Sequence, residues 1–185
     1  MISNDLIQRR HIIDHAAPDP DMKIDSAQID ANFRATAYAI GNCFVNQQRV
    51  WMETLRMDPT TMLVYMTVAL AAVQKLARQP AFPESMRGSE PLPQHLVGTI
   101  SRRAVASATG IPRETVRRII DKLLKDGRLI TVGRNAVRVA RDNARIEGFV
   151  HVPAMLLPDI LRMLDDLRRL GVIVEQARAA PPDYL

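Results

Sequence analysis

Between Ser101 and Val139 the hydrophobic period of the chain switches from about 3.6 residues to 2, and a glycine marks each break, at Gly110, Gly127 and Gly133. Few folds accept that order of short pieces. Ser101 is placed to cap a short helix over Arg102–Thr109, and Gly110 permits the left-handed residue that ends it. Ile111 is an apolar plug in the turn, and a second helix is expected from near Pro112 to about Asp126, closed by Gly127. Residues 128–132 alternate as a strand, Gly133-Arg134-Asn135 makes a tight turn, and Ala136–Val139 forms a second strand. Thr99-Ile100 can add a short third strand.

The spacing within these pieces has a physical logic. Ala106 is small where two helices cross, and Gly110 follows four residues later at the turn. Val116, Ile119, Ile120 and Leu123 form one apolar face of the second helix. Arg113, Glu114, Arg117, Arg118, Asp121, Lys122 and Lys125 form the other. Helix, turn, helix and hairpin in this order are a winged helix-turn-helix. A helix that is apolar inside and rich in guanidinium outside suits the major groove of DNA.

Charge points the same way. The chain has 185 residues and a formal net charge of +5. Residues 101–145 hold twelve Arg or Lys against four acids, a local +8, which leaves the rest at −3. Concentrated positive charge draws polyanions by neutralising phosphates and releasing counterions.

The segment 98–141 resembles the winged helix-turn-helix of bacterial transcription regulators. Arg113-Glu114-Thr115-Val116-Arg117-Arg118-Ile119-Ile120 closely resembles the recognition helix of the Crp–Fnr type. That resemblance implies that Arg113, Glu114 and Arg118 touch base edges and that Thr115 holds a phosphate. The chemistry is compatible: Arg makes bidentate contacts to guanine, and Glu accepts from the cytosine amino group. Pro112 departs from the pattern, standing where such motifs carry a Ser or Thr cap. No β-rich effector domain precedes the motif, so cyclic-nucleotide binding does not carry over. The layout, with helices on both sides, is more similar to MarR-type regulators, which are dimers paired through terminal helices. Around the motif, Arg102 and Arg103 are expected to approach phosphates, with Arg117 and Lys122 on the binding face. Arg134, at the wing tip, is expected to reach a minor groove or a phosphate. Arg128 and Arg138 are read as solvated strand residues.

The flanks are read as helical. Ser26 is the expected cap of a long helix to about Arg56, with a stripe of Ile29, Phe33, Ile40, Phe44, Trp51 and Leu55. Cys43 borders that stripe and is expected to be a buried thiol. Asp58-Pro59 restarts the chain as a helix to about Gln79. Its apolar character on most sides implies burial between other helices, part of it against a second subunit. Residues 80–97 hold four prolines and a glycine and read as a loop. From Pro153 to about Leu170 a helix is expected, with Leu157, Ile160, Leu161, Leu164 and Leu167 on its apolar side. Residues 1–25 and the ARAAPPDYL tail are read as loosely ordered. The division is therefore 1–25 arm, 26–97 helical dimerisation region, 98–141 winged helix, and 142–185 C-terminal helix and tail.

Several function classes lack a sequence signal. One cysteine excludes an intramolecular disulfide and a Cys-rich zinc site. His11 and His15 share a helical spacing, yet Asp14 is a poor third metal ligand there. No phosphate-cradling Gly-rich loop and no nucleophile with a placed base occurs, so no enzyme, metal or cofactor is expected. Met62–Val73 is too short to span a membrane, which needs roughly 20 residues. The N-terminus has no apolar signal core, so a soluble, cytoplasmic setting is expected. The fold expected is thus mainly α, with a winged helix-turn-helix DNA-binding domain and flanking helices. The function expected is a homodimeric transcription regulator on double-stranded DNA, its small-molecule effector unspecified. A winged-helix protein adaptor and a plasmid-type replication initiator are the alternatives.

Overall fold

A computed structural model of the chain describes residues 22–77, 88, 92–93, 95–140 and 151–175. In chain order its elements are β1 (Met22–Ile24), α1 (Ser26–Ala31), α2 (Phe33–Leu55), α3 (Pro59–Ala77), β2 (Ile100–Ser101), α4 (Arg102–Thr109), α5 (Arg113–Lys125), β3 (Leu129–Val132), β4 (Ala136–Val139), α6 (Val152–Arg169) and β5 (Ile173–Glu175). The protein is mainly helical with small antiparallel sheets. The described residues fall into two compact units, 51–152 and 22–50 with 153–175.

The unit 51–152 is built on α3, which packs on α4, α5 and β4. Asp58 starts α3. Its Oδ1 accepts from the backbone N–H of Thr60 at 3.1 Å and of Thr61 at 3.0 Å, and its Oδ2 accepts from Thr61 Oγ1 at 2.6 Å. The Thr61 hydroxyl bond, first of all, holds the Asp58 carboxyl below its usual range. A depressed carboxylate stabilises the fold above its unfolded pKa, and that contribution fades as pH falls through the folded value. Asp58→Ala is expected to lower stability at neutral pH by about 0.5–2 kcal/mol. The gap between variant and wild type should narrow in acid, as read by urea melts at pH 7 and pH 3.

The core of this unit gathers Leu55, Tyr65, Val68, Val105, Val116, Ile120, Leu123, Leu129 and Val137, all nearly inaccessible. Burial pushes the Tyr65 phenol up, and the nearby Arg128 charge partly offsets that. On α3, Met62, Val64, Tyr65, Val68, Ala72 and Leu76 are buried, whereas Leu63, Leu70 and Val73 are exposed. Thr61 and Thr67 are buried as well, so the buried arc covers more than half of the helix and exposure is confined to the side of Leu63, Leu70 and Val73. An apolar composition does not by itself supply neighbours for every side of a helix.

Three strands form a sheet of order β2-β4-β3. Ile100 pairs with Val137, and Leu129 with Val139, both antiparallel. The third strand is thus Ile100–Ser101, one residue later than expected. Gly98 sits before it in close approach to α3: its N–H donates to Ala72 O at 2.8 Å. A Cβ there would lie 2.4 Å from Ala71 O, so only glycine fits. The Ser101 hydroxyl accepts from Ala104 N–H at 3.1 Å and caps α4. Gly110 closes α4 at φ 70°, its N–H donating to Ala106 O at 3.0 Å.

In the other unit, β1 pairs with β5, Lys23 opposite Val174. Residues 22–24 are therefore a strand rather than part of a loose arm. The partner lies at the far end of the sequence, so no local pattern announces it. Residues 1–21, with His11 and His15, lie outside the described residues, as do the 176–185 tail and most of the 80–97 loop. The expected single helix from Ser26 is corrected in two respects. Asp25, not Ser26, is the cap, its Oδ1 accepting from Ala27 N–H at 2.9 Å and Gln28 N–H at 3.2 Å. The helix is also interrupted at Asn32. There the backbone turns to φ −116°, ψ 27°, although Asn32 N–H still donates to Gln28 O, and the side-chain amide donates to Gln28 O, Gln28 Oε1 and Leu170 O.

Burial on α2 follows the expected stripe at Leu55 and departs from it toward the N-terminal end. Thr36, Ala39, Cys43 and Val50 are buried, and the Cys43 thiol is inaccessible as expected. Phe33, Ile40 and Phe44 are exposed, joined by Tyr38 and Val45. On α6, Leu156 and Leu167 are buried, but Leu157 and Leu161 are exposed. Each helix carries apolar residues on more than one side, and hydrophobicity alone does not say which side the single chain covers.

Candidate nucleic-acid interface

The outer face of α5 owes its position to the inner one. Val116, Ile120 and Leu123 are buried, and Ile119 is half-buried. The helical repeat therefore turns Arg113, Glu114, Arg117, Arg118 and Lys122 outward, and all five are exposed. Thr115 is half-buried. Pro112 occupies the cap position and offers no side-chain acceptor, so α5 begins at Arg113. The first N–H groups of α5 are thus left uncapped by a side chain, a setting that favours anions.

Charges on this face are not equivalent. Arg117 holds Glu114 in a bidentate pair, Nη2 to Oε1 at 2.6 Å and Nε to Oε2 at 3.0 Å. Its Nη1 donates to Asp121 Oδ2 at 3.1 Å. Asp121 Oδ1 in turn accepts from Arg102 Nη2 at 2.8 Å, which ties the start of α4 to the middle of α5. The hydrogen bond from Arg117 keeps the Glu114 carboxyl below its usual range, and the same pairing raises Arg117. Arg113, Arg118 and Lys122 have no ion-pair partner among the described residues.

The expected site residues thus separate into groups. Arg102, Glu114 and Arg117 are brought together through Asp121. Arg113, Arg118 and Lys122 are exposed on the same helix. Arg103 is exposed on the first turn of α4, and Arg134 is exposed in the β3–β4 turn. Arg128 is corrected: it is half-buried, and its Nη1 donates to Leu55 O at 3.0 Å, closing the end of α2. Arg138 is half-buried on β4 rather than fully solvated. Sequence reasoning placed Asp121 on the outer face but missed its role as the hub. Its spacing of four from Arg117 was a readable signal. Its bond to Arg102 depends on how the two helices cross.

No group that could hold a metal ion occurs among the described residues, and no helix there is long and apolar enough to cross a membrane. No family model, curated protein or solved structure matches the chain.

Proposed function

We propose that the chain binds double-stranded DNA in a sequence-specific manner through a winged helix-turn-helix formed by α4, α5 and the β2-β4-β3 sheet, acting as a dimeric transcription regulator. The observation that carries this reading is the outer face of α5. Arg113, Arg118 and Lys122 are exposed there without ion partners among the described residues, on a helix anchored through buried Val116, Ile120 and Leu123. Unpaired cations on a rigid helix can meet phosphates and guanine edges without first breaking internal bonds. Arg103 and Arg134 extend the cationic surface to α4 and the hairpin turn. Arg102, engaged with Asp121, serves the helix crossing more than a phosphate contact.

Dimerisation is supported by the exposed apolar side of α2. Phe33, Ile40 and Phe44 recur there at spacings of seven and four, with Phe33 65% and Phe44 59% exposed. Large aromatic side chains in water favour a second apolar surface. Two copies would read half-sites roughly 34–36 Å apart.

Selection of bound duplexes from a randomised pool, followed by mobility shifts over a salt series, tests the reading. The expected result is a two-fold symmetric consensus and an affinity that falls steeply with salt. Failure to retain any duplex at low salt would overturn it and favour a protein adaptor.

A further inference from the structure

The chain Arg102–Asp121–Arg117–Glu114 crosses from one helix to the next and ends on a carboxylate at the start of α5. A bare glutamate on a DNA-facing surface is repelled by phosphates and free to adopt many rotamers. Glu114 is neither bare nor free, because both its oxygens are engaged by Arg117. Each carboxylate oxygen still has acceptor capacity to spare. We infer that Asp121 is a positioning residue for base reading, holding Arg117 so that Glu114 is neutralised, oriented and presented to the exocyclic amino group of a cytosine.

This inference rests on the DNA-binding reading above and adds a division of labour within it. Arg113 and Arg118 supply the direct cationic contacts. Arg117 is a support for Glu114 rather than a reader, because its Nε, Nη1 and Nη2 are all committed within the helix. Asp121 keeps Arg117 from swinging out to a phosphate. Arg102 fixes Asp121 from α4, so the arrangement depends on the helix crossing. Exposed single ion pairs stabilise little, but a bidentate pair within a network of four charges holds geometry better. The consequence is therefore expected in specificity and not in stability.

The test compares wild type, Asp121→Ala, Asp121→Glu, Glu114→Ala and the Asp121→Ala/Glu114→Ala double variant. Each is assayed on the duplex that wild type selects, on all its single base-pair replacements, and on a random duplex. Asp121→Ala is expected to lower discrimination about tenfold at one C·G position, the same position that Glu114→Ala relaxes. The double variant should lose no more than Glu114→Ala alone. Affinity for random duplex should stay level or rise, since a negative charge has gone, and the melting temperature should not move. Asp121→Glu should recover part of the preference. Unchanged base preference in Asp121→Ala, or an equal loss on every duplex, would overturn the positioning role while leaving DNA binding intact. Absence of any preferred duplex for wild type would overturn both readings.

Discussion

Ile120→Ala is expected to lower the free energy of unfolding by about 2–5 kcal/mol, a large part of what a domain of this size has. Ile120 is inaccessible within a cluster that takes residues from α2, α3, α4, α5, β3 and β4. Removing three carbons there leaves a void that a close-packed cluster fills poorly. Because the same side chain holds α5 in place, DNA retention should fall with stability and recover on cooling. Ile120→Val, which deletes one methylene, should cost only about 0.5–1.5 kcal/mol. Denaturant melts of the three proteins decide the matter. A loss below about 1 kcal/mol for the alanine variant would mean that α5 is not seated on this core.

Arg113→Ala should behave in the opposite way. Arg113 is exposed, and it has no hydrogen-bond or ion partner among the described residues, so the melting temperature should stay put. Binding to the preferred duplex should weaken by about 1–3 kcal/mol, with base preference relaxed at one position. Lys122→Ala is the matched control: it should weaken all duplexes alike and lower the salt slope by about one unit. An equal loss on preferred and random DNA for Arg113→Ala would show that this residue contacts only the backbone.

Together these substitutions separate two roles of one helix. The buried residues of α5 decide whether the surface exists, and under the proposed DNA-binding reading the exposed ones set what it recognises. The Asp121 network lies between them. It costs the core nothing, yet it limits which of the outward charges are available to a ligand.

Much of this region was legible from residues alone. Ser101, Gly110 and Gly127 bracket α4 and α5 because capping and left-handed turns are local events, fixed within four or five residues. The inner face of α5 follows from helical repeat, and the hairpin from alternation around Gly133. The flanks were less legible. Asp25 took the capping role expected of Ser26, a shift of one residue that spacing cannot resolve. Phe33, Ile40 and Phe44 belong to a helix with more apolar sides than one chain covers, so pattern placed Trp51 and Leu55 against the core but misassigned these three to the buried side.

What the residues determined alone, then, is the order of elements from Ser101 to Val139 and the concentration of positive charge upon them. Tertiary structure decided which charges are spoken for. Arg128 looked like a solvated strand residue and instead closes the end of α2 through Leu55 O. Asp121 looked like one more acid on an outer face and instead joins Arg102 to Arg117. The pairing of β1 with β5 likewise joins segments from opposite ends of the chain. The physical reason is common to all three. Periodicity is a property of neighbours along the backbone, whereas a hydrogen bond between elements depends on how those elements cross, which no local pattern contains.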